Sequence, residues 1–534
     1  MIEQRDEFDK DEMKNLLSKN FSISLSAKVL YLFTRLFLPP LTLAYVSLEE
    51  YGIWACCFIL ISYVGMSAFG ISNVYIRYVA EYKAKNQTDH INRLLSTGLT
   101  VILILSVLLL VLLWFALPAV VRQFKISPSL HHTAFVLIFG TAVTFMLDLS
   151  FGAFAYVLTG LQRITEQTLV WVASFLLEAG LIVVLLTRGF GIYALLWAFV
   201  VRYLLATTAY VVLCFRLVPG LSLSLRHFDR ASLRLFSSYG AIVQVTGLLS
   251  VFLRSVEKLL AGLFVGIVAT GLFEVGEKFP IMALLLPSSM NEAFLPAVSH
   301  MHTLERQEEI RKLYLKGSRY MNMMTGVLMA FLAAFAAPVL TAWIGPDPKY
   351  QVAAVILTAF TLPYQLDVLT GPGSAIHRGM NKPFREMTYH LSQLSLLIIT
   401  GSIIFLWIGK TIMTITVTVA LSMILSALYY LAYTNRVLAI PQGFYIRQVL
   451  IPGILPYFFA FALCWLTRPA YAWGGMNRWR IIGLLALSGA GYCLLSAFFL
   501  YRVVCDWGER EYLRLQMLTT VSGFFRDRVV AKTS

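Results

Sequence analysis

Twelve ionisable side chains lie inside long apolar segments of the chain, where such groups are rare and costly. The basic ones are Lys28, Arg35, Arg202, Arg254, Lys258 and Lys278, and the acidic ones are Asp148, Glu178, Glu257, Glu274, Glu277 and Asp367. Lys28, Tyr31 and Arg35 share one face of the first apolar segment when it is read as a helix. These side chains require water, a ligand or an opposite charge, so they favour binding of charged groups at membrane depth.

The basic residues predict a site for an anion. Arg35 and Arg254 each lie roughly 20 Å along their helices, too deep for their side chains to reach the aqueous surface easily. Guanidinium stays charged and binds anionic oxygens through paired hydrogen bonds. We predict Arg35, Arg254, Lys28 and Lys258 as substrate-binding residues. Structural ion pairs stay open as the alternative, for example between Arg254 and Glu257, or between Arg35 and an acid of a neighbouring helix.

The acidic residues predict a site for a coupling cation. Carboxylates at membrane depth can bind a cation or exchange a proton, and we predict this role for Asp148, Asp367, Glu257 and Glu274. For Asp148 and Asp367 a structural role stays open, because each lies about one turn from a glycine. The six cysteines have no metal-ligand spacing. No metal, cofactor or catalytic residue is predicted, and Na+ or H+ is the expected coupling ion.

The chain repeats itself at one constant offset, the separation in sequence between Arg35 and Arg254, which we call the repeat offset. The same offset relates Asp148 to Asp367, Gly152 to Gly371 and Gly160 to Gly379. An acid and an arginine inside apolar segments are unlikely to recur together by chance. We predict two six-helix lobes related by a pseudo-twofold axis along the membrane normal, with the substrate path between them.

Composition predicts an all-α, polytopic membrane protein. Hydrophobic residues make up 58% of the chain, charged residues 13%, and the mean hydropathy is +0.74. Apolar runs of about 20 residues predict about 14 transmembrane helices. The predicted divisions are a cytoplasmic N-terminal segment (1–21), an N-lobe of helices 1 to 6 (22–218), a cytoplasmic linker (219–235), a C-lobe of helices 7 to 12 (236–435), helices 13 and 14 (436–503) and a cytoplasmic amphipathic tail (504–534).

The distribution of Lys and Arg predicts orientation. These residues are concentrated in the loops that face the cytoplasm if both termini are cytoplasmic. The same asymmetry contributes to the net charge of +15, which indicates contact with anionic membrane lipids and not with nucleic acid. In the tail, Tyr512, Leu515, Leu518, Val521 and Phe525 lie among arginines, as in a helix lying on the membrane surface.

Several stretches resemble one transporter family. They are YGIWACCFILISYVGMSAFGISNVYIRYVAEY (51–82), VEKLLAGLFVGIVATGLFEVGEKF (256–279) and the turns TGLQR (159–163) and RGMNK (378–382). They resemble the polysaccharide transporter branch, the Wzx-type flippases, of the multidrug/oligosaccharidyl-lipid/polysaccharide exporter superfamily, over roughly residues 19–434.

The resemblance implies a protein of the bacterial cytoplasmic (inner) membrane that moves undecaprenyl-diphosphate-linked oligosaccharide to the outer leaflet by alternating access. Arg35 and Arg254 would meet the diphosphate. Many members have Asp where this chain has Glu257, which puts a coupling role there in doubt. A glycan polymerase and glycosyltransferases of the same pathway are further candidate partners. Two other functions stay open: a multidrug or organic-cation antiporter of the superfamily, and a membrane glycan polymerase or ligase. The loops predicted to face outside show no catalytic constellation, so an enzyme is not expected.

Overall fold

The structure is a computed structural model that describes residues 26–65, 71–237, 241–473, 477–504, 508 and 510–511. These residues form twenty-three α-helices, as expected for an all-α protein. The predicted segment 1–21 and the amphipathic pattern from Tyr512 to Phe525 lie outside the described residues. The helices are α1 Ser26–Tyr45, α2 Leu48–Gly65, α3 Ile71–Ala84, α4 Thr88–Gln123, α5 His131–Phe151, α6 Ala153–Gly160, α7 Ile164–Thr187, α8 Tyr193–Leu217, α9 Arg230–Ser237, α10 Ala241–Leu253, α11 Val256–Phe264, α12 Ile267–Gly276, α13 Lys278–Ala283, α14 Leu285–Thr303, α15 Gln307–Ala334, α16 Ala336–Trp343, α17 Gln351–Leu369, α18 Gly371–Gly379, α19 Phe384–Trp407, α20 Ile412–Val437, α21 Gln442–Tyr445, α22 Ile451–Trp473 and α23 Arg478–Phe499.

The helices confirm a multi-pass membrane protein. Within the described residues, ten are long and apolar enough to cross a membrane, or up to twelve if each of two sharply bent helix pairs is one span. The apolar runs coincide with helix where the structure describes them, but several are divided: one run contains both α5 and α6, and another contains both α10 and α11. Fourteen crossings stay a prediction.

Two of the helix breaks fall beside residues that the sequence singles out. The N–H of Gly152, between α5 and α6, donates to the carbonyl of Asp148 at 2.6 Å, and a Cβ on this glycine would collide with that carbonyl. Arg254 lies in the break between α10 and α11. At Gly152 the backbone keeps helical torsion angles, so α5 and α6 together belong to one span, Pro128–Gly160.

The chain forms two compact units. Of the described residues, those within Met1–Met282, Pro348–Pro363 and Met380–Tyr430 belong to unit 1, and those within Ala283–Asp347, Tyr364–Gly379 and Leu431–Ser534 belong to unit 2. In unit 1, α3, α4, α6 and α8 surround a core that includes the fully buried Tyr75 and Phe154. In unit 2, α15, α22 and α23 pack around Ala330, Ala460 and Tyr492.

Side-chain amides attach α22 to the rest of unit 2. Asn322 of α15 donates to the carbonyl of Val449 at 2.7 Å, and Gln365 of α17 donates to the carbonyl of Gly453 at 3.0 Å. The two amides are joined, because Gln365 also donates to the Asn322 oxygen at 2.8 Å. Val449 belongs to a π-helical turn, Ile446–Leu450, in which the backbone is wider than in an α-helix. The segment predicted as helix 13 is therefore held by buried hydrogen bonds.

A tight glycine contact in unit 1 recurs in unit 2 at the repeat offset. A Cβ built on Gly160 of α6 would lie 3.1 Å from the Cβ of Val79 in α3. A Cβ on Gly379 of α18 would lie 3.0 Å from the Cβ of Val298 in α14. The repeat offset separates Gly160 from Gly379, and it also separates Val79 from Val298. Small residues at these positions let the helices approach closely.

A second glycine contact follows the same rule. Gly98 of α4 lies against the ring of Tyr75, and Gly317 of α15 lies against the ring of Phe294. The repeat offset again separates Gly98 from Gly317 and Tyr75 from Phe294. The repeat in sequence therefore extends to which residues touch within each unit.

Helices α2 and α12 of unit 1 meet through a reciprocal contact. Gly52 faces the backbone carbonyl of Ile267, and Gly271 faces that of Leu48, where an added Cβ would lie 3.1 Å from the oxygen. The repeat offset separates Leu48 from Ile267, and it separates Gly52 from Gly271. Reciprocity of this kind is what a twofold relation between two elements produces.

The segment after α4 joins the start of α2 to the end of α11. The ammonium of Lys125 donates to the carbonyl of Phe264 at 2.8 Å. The N–H and hydroxyl of Ser127 donate to the two carboxylate oxygens of Glu49 at 2.8 and 3.0 Å. We call these four residues the clasp. It lies at the helix ends that the charge distribution predicts to face outside.

Candidate functional site

A cavity of about 310 Å³ lies in unit 1 among α1, α2, α7, α8 and the junction of α12 with α13. This volume falls at the lower end of the usual range for small-molecule sites, roughly 300–1,000 Å³. The lining contains five charged and five aromatic side chains: Arg35, Glu178, Arg202, Glu274 and Lys278, with Tyr31, Tyr51, Trp54, Phe58 and Tyr203. Three cations and two carboxylates leave an excess of positive charge.

Two arginines converge on one carboxylate oxygen in this cavity. Nη2 of Arg35 lies 3.0 Å from Oε2 of Glu178, and Nη1 of Arg202 lies 2.9 Å from the same oxygen. The side chain of Glu178 is 3% exposed, that of Arg202 10% and that of Arg35 22%. These charge-assisted hydrogen bonds join α1, α7 and α8. The group carries one uncompensated positive charge.

Aromatic rings position both guanidinium groups. The Arg35 guanidinium lies 4.9 Å from the centre of the Tyr31 ring, and that of Arg202 lies 4.8 Å from the Tyr203 ring. Tyr31 is fixed in turn by Phe175 of α7, with ring centres 5.5 Å apart in an edge contact. Cation–π contacts and ring packing therefore restrict the rotamers of the arginines.

A second charged cluster extends from the cavity wall into the protein. The two oxygens of Glu274 accept from Lys258 and from Lys278, each at 2.7 Å. Lys258 also lies 3.5 Å from the carboxylate of Glu277, which is fully buried and adjoins the buried Glu257. A pair of buried carboxyl groups beside one ammonium group is an arrangement that can hold a proton.

The predicted substrate-binding residues do not all reach this cavity. Arg35 lines it, whereas Lys258 lies behind Glu274 in the buried cluster. Lys28 is exposed on the first turns of α1. Arg254 is exposed in its helix break, is not among the lining residues and forms none of the ion pairs found in the described part of the chain, so the suggested pair with Glu257 is not observed.

The predicted coupling residues lie in three different surroundings. Glu274 lines the cavity and Glu257 is buried behind it. Asp148 lines a separate apolar cavity of about 310 Å³ between α5 and α8, where Thr207 donates to it at 3.5 Å. Asp367 belongs to unit 2, near the end of α17. Among the described residues, no group of three or more His, Cys, Asp or Glu is arranged to hold a metal ion.

Sequence reasoning gave no role to three residues of the cavity, Glu178, Arg202 and Lys278. The signal was available, since each is an ionisable residue inside an apolar segment. The partners of Glu178 and Arg202, however, lie on other helices, and the repeat offset pointed to Arg254. Lys278 differs, because its partner Glu274 lies only four residues before it. Only the packing of α1 against α7 and α8 reveals that Arg202 accompanies Arg35.

Solved structures share this fold. The lipid II flippase MurJ in an inward closed conformation aligns with a TM-score of 0.65 at 14% identity, over 90% of this chain and 98% of that chain. A multidrug resistance MATE family transporter of the MOP superfamily, in an inward-facing conformation, aligns with a TM-score of 0.61 at 15% identity, over 76% of this chain and 98% of that chain. A MOP superfamily transporter from Pyrococcus furiosus aligns with a TM-score of 0.53 at 16% identity, over 79% of this chain and 95% of that chain. The chain therefore has the fold of MOP superfamily transporters.

The chain belongs to the polysaccharide biosynthesis protein family, whose model matches residues 16–302. The uncharacterized membrane protein EpsK of Bacillus subtilis (strain 168) is 23% identical over 343 residues, which cover 61% of this chain and 65% of EpsK. The match thus spans less than two thirds of that relative. The resemblance to polysaccharide transporters predicted from the sequence is confirmed.

Proposed function

We propose that this protein is a flippase that moves a diphosphate-linked glycan on a polyprenyl carrier, a polysaccharide or O-antigen repeat unit, from the inner to the outer leaflet. The observation that carries the proposal is the cavity with three cations, two carboxylates and five aromatic rings, in a membrane protein of a polysaccharide biosynthesis family. A diphosphate needs donors that replace its hydration inside the membrane. Arg35 and Arg202 supply them, and the rings offer apolar faces to sugars.

The sign of the cavity charge favours this substrate over an organic cation. An antiporter for organic cations requires an acidic, aromatic site, and here both carboxylates of the cavity are already bound to basic side chains. The volume of about 310 Å³ suits the diphosphate end of the substrate, since a cavity of this size holds a small molecule and not a whole oligosaccharide. The polyprenyl chain would therefore remain among lipids while the charged group passes.

Alternating access is the proposed mechanism, with two six-helix lobes related by a pseudo-twofold axis. The reciprocal contact of Gly52 and Gly271 supports a twofold relation between α2 and α12. The Lys125–Phe264 bond of the clasp supports a state closed toward the outside, because it ties the predicted N-lobe to the predicted C-lobe at helix ends predicted to be external. The clasp would open for release of the glycan, while Arg35 binds it in the cavity.

The remaining assignments follow from charge and from the family. Both termini would be cytoplasmic and the membrane would be the bacterial inner membrane, since Lys and Arg are concentrated on that side. Transport would be driven by Na+ or H+ through at least one of Asp148, Asp367, Glu257 and Glu274. A glycan polymerase and the glycosyltransferases that assemble the substrate would be its partners in the pathway.

The proposal is tested in cells in which the gene is replaced by variants. Arg35→Ala should abolish or sharply reduce surface polysaccharide and cause lipid-linked glycan to accumulate on the inner leaflet, with the protein at normal abundance. Arg311→Ala is the control, because Arg311 pairs with the exposed Glu308 one turn away on α15 and does not line the cavity. Normal surface polysaccharide in Arg35→Ala would refute the proposed role of the cavity.

A further inference from the structure

Glu178 occupies an unusual position for a carboxylate in a cavity proposed to bind an anion. It is almost completely buried, and a single oxygen, Oε2, accepts from both Arg35 and Arg202. The two guanidinium groups come from different helices, α1 and α8, so they are brought together only in three dimensions. Their point of convergence is thus an anionic oxygen within 3.0 Å of two charged donors.

Two guanidinium groups that converge on one point have the geometry of a phosphate site, and here the carboxylate of Glu178 occupies that point. A phosphate oxygen has the same charge and accepts the same hydrogen bonds from guanidinium. A diphosphate has more charge and more oxygens than one carboxylate, so it can compete for both arginines. Without any anion, two guanidinium groups at this distance and burial would repel each other and bear a large desolvation penalty.

We infer that Arg35 and Arg202 form the diphosphate site of the substrate and that Glu178 is a built-in competitor, which fills the site in the empty protein and is displaced by the substrate. The inference rests on the proposed function and adds Arg202 and Glu178 to it. It also gives Glu178 a task in turnover. Its return expels the diphosphate after translocation, and its carboxylate offsets one of the two arginine charges while the empty carrier resets.

A purely structural ion-pair group predicts different behaviour. If Glu178 only holds the arginines in position, neutralising it disorders them, and anion binding becomes weaker. If Glu178 competes, neutralising it in an isosteric way frees the donors, and anion binding becomes tighter. The sign of the change in affinity therefore separates the two roles.

The first experiment is calorimetric titration of the purified full-length protein with inorganic pyrophosphate and with farnesyl diphosphate. Glu178→Gln should tighten pyrophosphate binding about tenfold, and Arg202→Ala and Arg35→Ala should each weaken it at least tenfold. Glu166→Gln on the same helix is the matched control, because Glu166 pairs with Arg163 at the surface, and its affinity should equal that of the wild type. Equal binding of both probes identifies the diphosphate as the recognised group, whereas binding of farnesyl diphosphate alone, unaffected by the arginine variants, would overturn the inference.

A second measurement requires no variant. A hydrophobic carbodiimide modifies accessible carboxyl groups in membrane proteins, and peptide mass spectrometry locates the product. Pyrophosphate should increase modification of Glu178 several-fold, because displacement removes its two donors, while Glu166 should not change. Unchanged or reduced modification of Glu178 under saturating pyrophosphate would overturn the competitor role.

Failure of the inference is distinguishable from failure of the proposed function. If Arg35→Ala and Arg202→Ala lose pyrophosphate binding but Glu178→Gln binds no more tightly than the wild type, only the competitor role is wrong. If Arg35→Ala still exports glycan normally in cells, the proposed function is wrong whatever the titrations show. With Glu178 as the competitor, Glu178→Gln binds pyrophosphate tightly yet exports less glycan than the wild type, because release becomes slow.

Discussion

Gly52 of α2 and Gly271 of α12 form a reciprocal contact between their two helices. Gly52 meets the backbone carbonyl of Ile267, four positions before Gly271, and Gly271 meets the backbone carbonyl of Leu48, four positions before Gly52. The repeat offset separates the two glycines, and it also separates the two carbonyl residues, Leu48 and Ile267. A repeat of sequence has thus become a self-complementary contact between two helices. Its close approach depends on the absence of a side chain at both positions.

The first prediction concerns this contact. A Cβ at Gly52 would overlap the Ile267 carbonyl, and backbone cannot move aside as a flexible side chain can. Gly52→Ala should therefore destabilise the protein by about 1–3 kcal/mol, the usual range for overpacking, seen as a lower midpoint of thermal unfolding in detergent. Gly180→Ala is the control, since nothing lies within 4 Å of its added Cβ. A midpoint as high for Gly52→Ala as for Gly180→Ala would show that α2 and α12 do not meet in this way.

The second prediction concerns the clasp. Lys125→Met removes the ammonium group that donates to the Phe264 carbonyl, which is the bond of the clasp that joins the predicted N-lobe to the predicted C-lobe, and a hydrogen bond to a charged group contributes about 1.5–3 kcal/mol. The closed state should lose population, so a membrane-impermeant maleimide added outside should label a cysteine placed at the cavity residue Thr42 up to about tenfold faster.

The control for the clasp is Glu49→Gln. Glu49 and Ser127 both belong to the predicted N-lobe, so their hydrogen bonds can persist while the two lobes separate. This variant should leave labelling unchanged. Equal acceleration in both variants would indicate general loosening of these helix ends, and no acceleration in either would remove the clasp from the gating mechanism.

The third prediction concerns Arg254. Because no ion pair of Arg254 is seen within the described residues, we expect this arginine to meet substrate or water during the cycle. Arg254→Ala should reduce surface polysaccharide about ten- to a hundredfold at normal protein abundance, the loss expected for one charged hydrogen-bond partner. Adding Glu257→Ala should not restore it. Recovery in the double variant would establish a structural pair of Arg254 with Glu257 instead.

The class of fold could be predicted from the sequence because long apolar runs permit few other structures. The repeat offset was also visible in the sequence, and its glycines coincide with contacts such as Gly160 on Val79 and Gly379 on Val298. These features depend on residues near in sequence or related by one offset. The helix breaks at Gly152 and Arg254 were not predicted, since apolar composition continues through them.

The site could be predicted only in part. Arg35 was found because a charged residue in an apolar helix is conspicuous from sequence. Its neighbour Arg202 was not, because the pairing depends on α1 packing beside α7 and α8, which no spacing along the chain encodes. The repeat suggested Arg254 as the companion, yet equivalent positions in two repeats need not face the same cavity.

The fourth prediction concerns energy coupling. In vesicles containing the purified protein, net glycan translocation should fall sharply when both the proton and the sodium gradients are collapsed. Glu257→Gln should make the remaining flipping insensitive to the gradients, because an amide neither binds a proton at the pH of the assay nor attracts a cation. It is a cleaner test than Glu274→Gln, which would leave Lys258 and Lys278 without their shared partner.

The control for energy coupling is Glu166→Gln, because Glu166 lies at the surface and pairs with Arg163. This variant should retain the response to both gradients. If the wild type flips glycan equally with and without gradients, the carboxylates are structural and the protein is a passive scramblase.

The proposed role of Arg35, to carry the diphosphate of a lipid-linked glycan through the cavity, is tested most directly by one transport measurement. Vesicles containing wild-type protein, Arg35→Ala or Arg311→Ala receive an isoprenyl-diphosphate-linked disaccharide in the leaflet that faces the protein's cytoplasmic side. A membrane-impermeant glycosidase in the opposite compartment reports arrival. We predict cleavage at the wild-type rate for Arg311→Ala and at least a tenfold slower rate for Arg35→Ala. Wild-type rates for Arg35→Ala, or for Arg35→Ala combined with Glu178→Ala, would contradict this role.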